Sequence, residues 1–160
     1  MVLWFAGLSV LVTWKVFQSP ALDYRMVALG AILPVAEVVF GGPRVLHTLL
    51  GAVVALGGVM LATRRHRLVR RRLLGVPIGL FMHLVLDGVW ADTHVFWWPC
   101  FGASFGSARM PELARGIWAL PMELIGLGAV VYAYRRFGLD DRRRRTEFLH
   151  TGRIDRDLVP

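Results

Sequence analysis

Cysteine occurs once in these 160 residues, at Cys100, so no internal disulfide can form and thiol usage carries no information about the compartment. Lysine is equally scarce: Lys15 stands alone beside 18 arginines. Acids number 11 against 19 basic residues, which leaves a formal charge of +8. No Ser/His/Asp nucleophile elbow, Walker loop or dinucleotide glycine motif occurs, and no segment repeats. The sequence therefore offers no local ground for acyl-serine, nucleotide-triphosphate or nicotinamide chemistry.

Apolar residues are abundant. They make up 56% of the chain and mean hydropathy is +0.53, above the roughly 45–50% apolar content of soluble domains. They fall in recurrent stretches separated by short charged punctuation, the pattern of one polytopic membrane domain. The arginines cluster at Arg64–Arg72 and Arg135–Arg156, both abutting apolar runs. That placement suits anchors facing an anionic leaflet, and it argues against nucleic acid as the partner.

Five spans are expected, at about Val2–Phe17, Tyr24–Phe40, Val45–Thr63, Leu73–Trp90 and Ile117–Tyr134. The second and fourth lie near the lower limit of about 17 residues for crossing. The first has no basic leader, and Trp14 and Lys15 stand where a cleavage site needs small residues, so it reads as a span. Gly57-Gly58 and Gly126-x-Gly128 read as close helix contacts. The fold class expected is an all-α membrane bundle over residues 1–138, followed by a cytoplasmic Arg-rich tail over 139–160, with a disordered end from Arg153. Placing the Arg64–Arg72 loop inside also puts Lys15, Arg25 and the tail inside, and leaves only Arg44, Arg109 and Arg115 outside. The N-terminus is then out and the C-terminus in, as expected of a multi-pass protein of a bacterial-type inner (plasma) membrane.

With that orientation the polar residues within spans acquire a depth. Glu37, His47, His83, Asp87 and Glu123 come from four different spans, and all lie roughly 5–10 Å below the outer surface. His83 and Asp87 are one helical turn apart on one face. Such groups are costly in a membrane unless paired, hydrated or bound to metal. One reading is a hydrogen-bonded pair that fixes helix packing. The other is a divalent metal site, with zinc, manganese or iron suiting imidazole and carboxylate donors. Zinc takes three protein ligands and keeps a position open for water, and His47, His83 and Asp87 supply three. Glu37 is then a fourth ligand or the base that takes a proton from water. Glu123 either braces helices or supports a ligating histidine. Asp92 and His94 read as a solvated outer loop. Phe96-Trp97-Trp98-Pro99 reads as an aromatic belt at headgroup level, whose Trp97 and Trp98 could also guide an amphiphilic substrate.

The segments Ala28-Leu29-Gly30-Ala31-Ile32-Leu33-Pro34, Arg44-Val45-Leu46-His47-Thr48-Leu49-Leu50-Gly51, and His83-Leu84-Val85-Leu86-Asp87 with downstream Trp97-Trp98-Pro99 occur in a telling order. Together they resemble the LexA-binding, inner-membrane-associated metal-dependent hydrolase family, a distant likeness of zinc-dependent phospholipase C and P1-type nucleases. The resemblance covers roughly residues 23–134. It implies metal-site roles for His47, His83 and Asp87. Two positions depart from the family pattern: Val35 stands where an Asp follows Leu-Pro, with Glu37 as the nearby acid, and Thr48 stands where a Ser follows the first histidine.

The expectation is a membrane-embedded, metal-dependent hydrolase, zinc first among metals, acting on a lipid-like phosphoester at the outer face. Arg44 or Arg115 would pair with the phosphate. The rival is a non-catalytic membrane module that docks a protein partner through its arginine-rich inner face. A proton or ion path is a third reading, and it wants polar residues continuing inward, of which the inner halves of the spans hold few.

Overall fold

The computed structural model describes residues 1–40, 44–102, 115–155 and 157, with the side chains of 38–40 outside that description. Every regular element among the described residues is helical. Helix α1 spans Val2–Phe17 and α2 spans Tyr24–Ile32, continued as a 3-10 helix over Leu33–Phe40. A 3-10 turn at Val45–His47 leads into α3, Leu49–Ala62. Then come α4, Arg67–Leu73, and α5, Gly75–Asp87, followed by a 3-10 turn at Val89–Ala91 and the short α6, Thr93–Phe96. A 3-10 turn at Gly116–Trp118 opens α7, Ala119–Arg136, and α8 spans Arg142–Thr151. Arg109 lies outside the described residues.

The elements begin and end where local chemistry dictates. Asp23 caps α2 by accepting from the N–H groups of Arg25 and Met26, and Thr48 caps α3 through Gly51 N–H at 2.9 Å. The expected second span does not run as one α-helix. Pro34 has no N–H, and its ring would press on the carbonyl one turn back, so α2 stops at Ile32 and the chain tightens to 3-10. The expected third span likewise divides, because Thr48 is extended (φ −109°, ψ 150°) and leaves His47 in a turn ahead of α3. Gly88, at φ +74°, terminates α5 one residue after Asp87.

Packing rests on two close helix pairs. Where α2 crosses α5, a Cβ on Gly30 would sit 2.1 Å from the Val76 carbonyl oxygen, and one on Gly79 2.1 Å from that of Val27. Where α1 meets α7, a Cβ on Gly126 would sit 2.2 Å from Trp4 N. Only glycine lets these backbones approach so closely. Gly126 is thus a helix contact as the sequence suggests, whereas Gly57, Gly58 and Gly128 face open space. Helix α3 is peripheral, burying Gly51 and Ala52 and exposing Val53, Val54 and Leu61.

Of the end expected to be disordered, residues 153–155 pack onto the fold, while 156 and 158–160 lie outside the described residues. Ile154 is buried with Leu22, Tyr24, Val27, Ala133 and Phe137, and Phe148 packs on Phe137. Asp23 ties this region together by pairing with Arg25 at 2.9 Å and Arg72 at 3.2 Å, while Arg25 also donates to the carbonyls of Leu149 and His150. Among the described residues one helical stretch, Gly116–Arg136, is long and apolar enough to cross a membrane, and only 17% of its most apolar window is buried. Helices α1 and α3 are apolar but shorter.

Candidate metal centre

His47, His83 and Asp87 meet in the interior. Each contributes one donor atom, and these atoms lie within 4.8 Å of one another. Both histidines are fully buried and Asp87 is 3% exposed. Two elements converge here: the 3-10 turn before α3 and the last two turns of α5.

Each imidazole is held by its Nδ1. Glu37, on the 3-10 continuation of α2, lies 2.7 Å from His47 Nδ1 and accepts from the N–H groups of Arg44 at 2.7 Å and Leu46 at 2.9 Å. One carboxylate therefore gathers the turn and aims the ring at its end. His83 Nδ1 lies 2.7 Å from the Ala31 carbonyl oxygen. In the 3-10 register that begins here, the donor to Ala31 would be Pro34, which has no N–H, so the proline that breaks α2 also makes this oxygen available to the histidine. Because both partners are acceptors, the proton is assigned to Nδ1 of each ring, and Nε2 is the nitrogen that could bind a metal. The Phe5 ring packs on His83 at 4.0 Å, and the two imidazoles meet edge to face at 5.1 Å.

This donor set fits a divalent ion. Ligands on a tetrahedral ion with bonds of about 2.0–2.2 Å stand roughly 3.3–3.6 Å apart, so closure asks for side-chain shifts of about 1 Å. Two imidazoles and a carboxylate suit zinc, iron and manganese alike. Arg115 supplies a positive charge at the rim: its Nη1 lies 3.0 Å from Asp87 Oδ1, and its Nη2 donates to the Asp87 carbonyl.

The other residues singled out in the sequence fall elsewhere. Glu37 sits on the Nδ1 side of His47, where it orients the ring. Glu123 is at the α1–α7 contact: it accepts from Leu3 N–H at 2.8 Å and Trp4 N–H at 3.2 Å, and lies 3.2 Å from the N-terminal ammonium. It caps α1 and is not among the three gathered donors. The Arg44 side chain is exposed, and its backbone N–H is what reaches Glu37. Trp97 is exposed, Trp98 is half-buried, and Cys100 is exposed. Asp92 caps α6, and His94 Nδ1 lies 3.1 Å from the Phe101 carbonyl oxygen. Val35 is half-buried. Sequence reasoning missed Phe5 and Ala31. Phe5 was detectable, since Phe5, Ser9 and Thr13 recur every fourth residue and are all buried. A backbone carbonyl leaves no such signal.

No protein-family model, curated protein or solved structure matches this chain.

Proposed function

We propose that this chain is a five-span membrane protein that uses a divalent metal, zinc first, to hydrolyse a lipid-like phosphoester near the outer face. The observation that carries the reading is the buried His47–His83–Asp87 group with both Nδ1 atoms already engaged. Packing alone does not require two oriented imidazoles and a carboxylate to converge. The resemblance to the LexA-binding, inner-membrane-associated hydrolases points to the same three residues.

Support for the five spans comes from the exposed apolar side chains on α1, α3, α5 and α7, including Val16, Leu61, Phe81 and Leu124. The one-sided arginine distribution supports an inward C-terminus. Helix α5 has 13 residues, about 20 Å, against a hydrocarbon core of about 30 Å. A span that short thins the bilayer around it and brings headgroups and water toward Asp87.

A divalent ion held here supplies Lewis-acid chemistry: it polarises a phosphoryl oxygen and lowers the pKa of water. His47 and His83 hold their positions through Glu37 and Ala31, so little reorganisation is needed as charge develops. Arg115 stands beside Asp87, where its guanidinium can pair with a phosphate. Arg44 is a second cation near the same turn, and Trp97 and Trp98 form an amphipathic rim for a substrate entering from the lipid.

The second reading is a non-catalytic module that docks a protein partner through its arginine-rich inner face. The Arg115–Asp87 ion pair favours it, because it compensates the carboxylate without a metal. Elemental analysis of the detergent-purified protein beside His83→Ala, Asp87→Ala separates the two. Near-stoichiometric metal lost in the double variant, together with phosphoesterase turnover lost in parallel, supports the hydrolase. Turnover unchanged in the double variant defeats it, and absence of metal after reconstitution favours the module.

A further inference from the structure

About 18 Å along α5 from Asp87, at the Gly75 end, lies a second feature of different chemistry. A cavity of about 280 Å³ opens between α4, the start of α2 and the end of α8. Its lining includes Asp23, Arg72 and Arg153 together with Leu68 and Val69. The Asp23 carboxylate is buried and occupied by Arg25, Arg72 and the cap N–H groups of α2. Arg72 meets it through Nε and is 55% exposed, which leaves its other N–H groups available. Arg153 has no ion-pair partner among the described residues. Arg25 and Arg72 outweigh the one acid they pair with and Arg153 adds a further charge to the lining, so the cavity attracts an anion.

The apolar part of the lining decides which anion. Leu68 is 70% and Val69 47% exposed on α4, a helix that otherwise presents arginines. A free phosphate gains nothing from these two side chains. A phosphate carrying hydrocarbon gains from the arginines and from the apolar pair, and arginine pairs phosphate oxygens in a bidentate manner. The elements around the cavity carry the arginine clusters that the positive-inside pattern puts at the inner face.

We propose that this cavity binds the headgroup of an anionic phospholipid from the inner leaflet. The phosphate lies between Arg72 and Arg153, and the glycerol and first methylenes lie against Leu68 and Val69. The lipid then bridges α4 and α8, which have no covalent reason to stay together, and fastens the C-terminal segment to the base of the α2–α5 crossing. The inference rests on the bilayer placement proposed above and is independent of the metal.

Native mass spectrometry of the full chain released from nanodiscs of mixed phosphatidylglycerol and phosphatidylcholine tests it, together with Tm measured in detergent against added phosphatidylglycerol, phosphatidylcholine or inorganic phosphate. One phosphatidylglycerol retained per chain, and a Tm raised by that lipid alone, is the expected result. Arg153→Gln, which breaks no ion pair among the described residues, and Leu68→Ser should each weaken retention at least tenfold. Arg70→Gln, Arg71→Gln removes two charges from α4 outside the cavity lining, more than Arg153→Gln removes, and should leave retention intact. Equal loss in that control, an equal Tm rise with inorganic phosphate, or wild-type retention by Arg153→Gln would overturn the inference. Flotation with vesicles keeps the two readings apart: a chain that floats with none contradicts the bilayer placement, and one that floats without headgroup preference contradicts this site alone.

Discussion

Gly79→Ala tests whether the α2–α5 crossing sets the metal centre. Gly79 is one turn before His83 on the same face of α5. A Cβ there would meet the Val27 carbonyl oxygen at 2.1 Å, Ala31 N at 2.7 Å and Gly30 Cα at 2.9 Å. All three are backbone atoms, so no rotamer change relieves them. An ordinary carbon–oxygen contact is about 3.3 Å, so the helices must part by about 1.2 Å. Ala31 moves with α2, and its 2.7 Å hydrogen bond to His83 then stretches to about 3.9 Å, beyond hydrogen-bond reach. Overpacking costs about 1–3 kcal/mol, and a buried hydrogen bond left unmade costs a similar amount. Replacing a helical glycine returns only about 0.5–1 kcal/mol, so net destabilisation of about 1–5 kcal/mol is expected. Metal affinity should fall about 10–100-fold, as when a group orienting a ligand is removed. Thermal unfolding in detergent and a competition titration with a chromogenic chelator measure both effects. Gly57→Ala is the control, since nothing lies within 4 Å of its Cβ, and it should be neutral or slightly stabilising. Wild-type Tm and metal affinity in Gly79→Ala would refute the link between crossing and site.

Other positions separate roles that share a residue type. Glu37→Gln keeps the shape but replaces one acceptor oxygen with a donor facing Arg44 N–H, Leu46 N–H or His47 Nδ1–H; metal affinity should fall about 10–100-fold, and unchanged binding would show that Glu37 does not orient His47. Glu123→Ala should destabilise by about 1–2 kcal/mol, through the lost cap on α1, with metal stoichiometry unchanged; loss of metal with an unaltered Tm would place Glu123 in the site instead. At the exposed start of α8, the N–H of Arg144 holds the Asp141 carboxyl below the usual carboxylate range, helped by the N–H and charge of Arg143. The cap therefore contributes fully above the unfolded pKa of about 3.9 and is lost as pH falls through the lower folded value. An NMR titration of the Arg144 amide should show a midpoint below 3.9, and a midpoint at or above it would contradict the cap.

The residues of the candidate centre were legible because His83 and Asp87 obey a helical spacing and His47 was expected at the same depth. Depth is one coordinate, however, and the direction around the bundle is another. Glu123 was expected at that depth too but faces α1, because α7 packs on α1 through Gly126 while the centre lies around the α2–α5 pair. Nothing local tells which helices become neighbours. The glycines make the same point. Gly75 and Gly79, four apart, share the face that meets α2, whereas adjacent Gly57 and Gly58 point in different directions on a peripheral helix. Pro34 was readable as a break, but its service to His83 depends on a contact spanning 52 residues.

That separation also has a meaning in time. At about 5–20 residues per second, the ribosome needs roughly 3–10 s to pass from Ala31 to His83. The 120 residues between Leu3 and Glu123 take roughly 6–24 s. Until then α1 has no cap from α7, Ala31 offers a carbonyl with no imidazole to meet it, and Glu37 holds the His47 turn with nothing for that ring to face. The early half of the chain must therefore wait in an unfinished state. A pause in translation between α2 and α5 would lengthen the interval in which quality-control proteases encounter it.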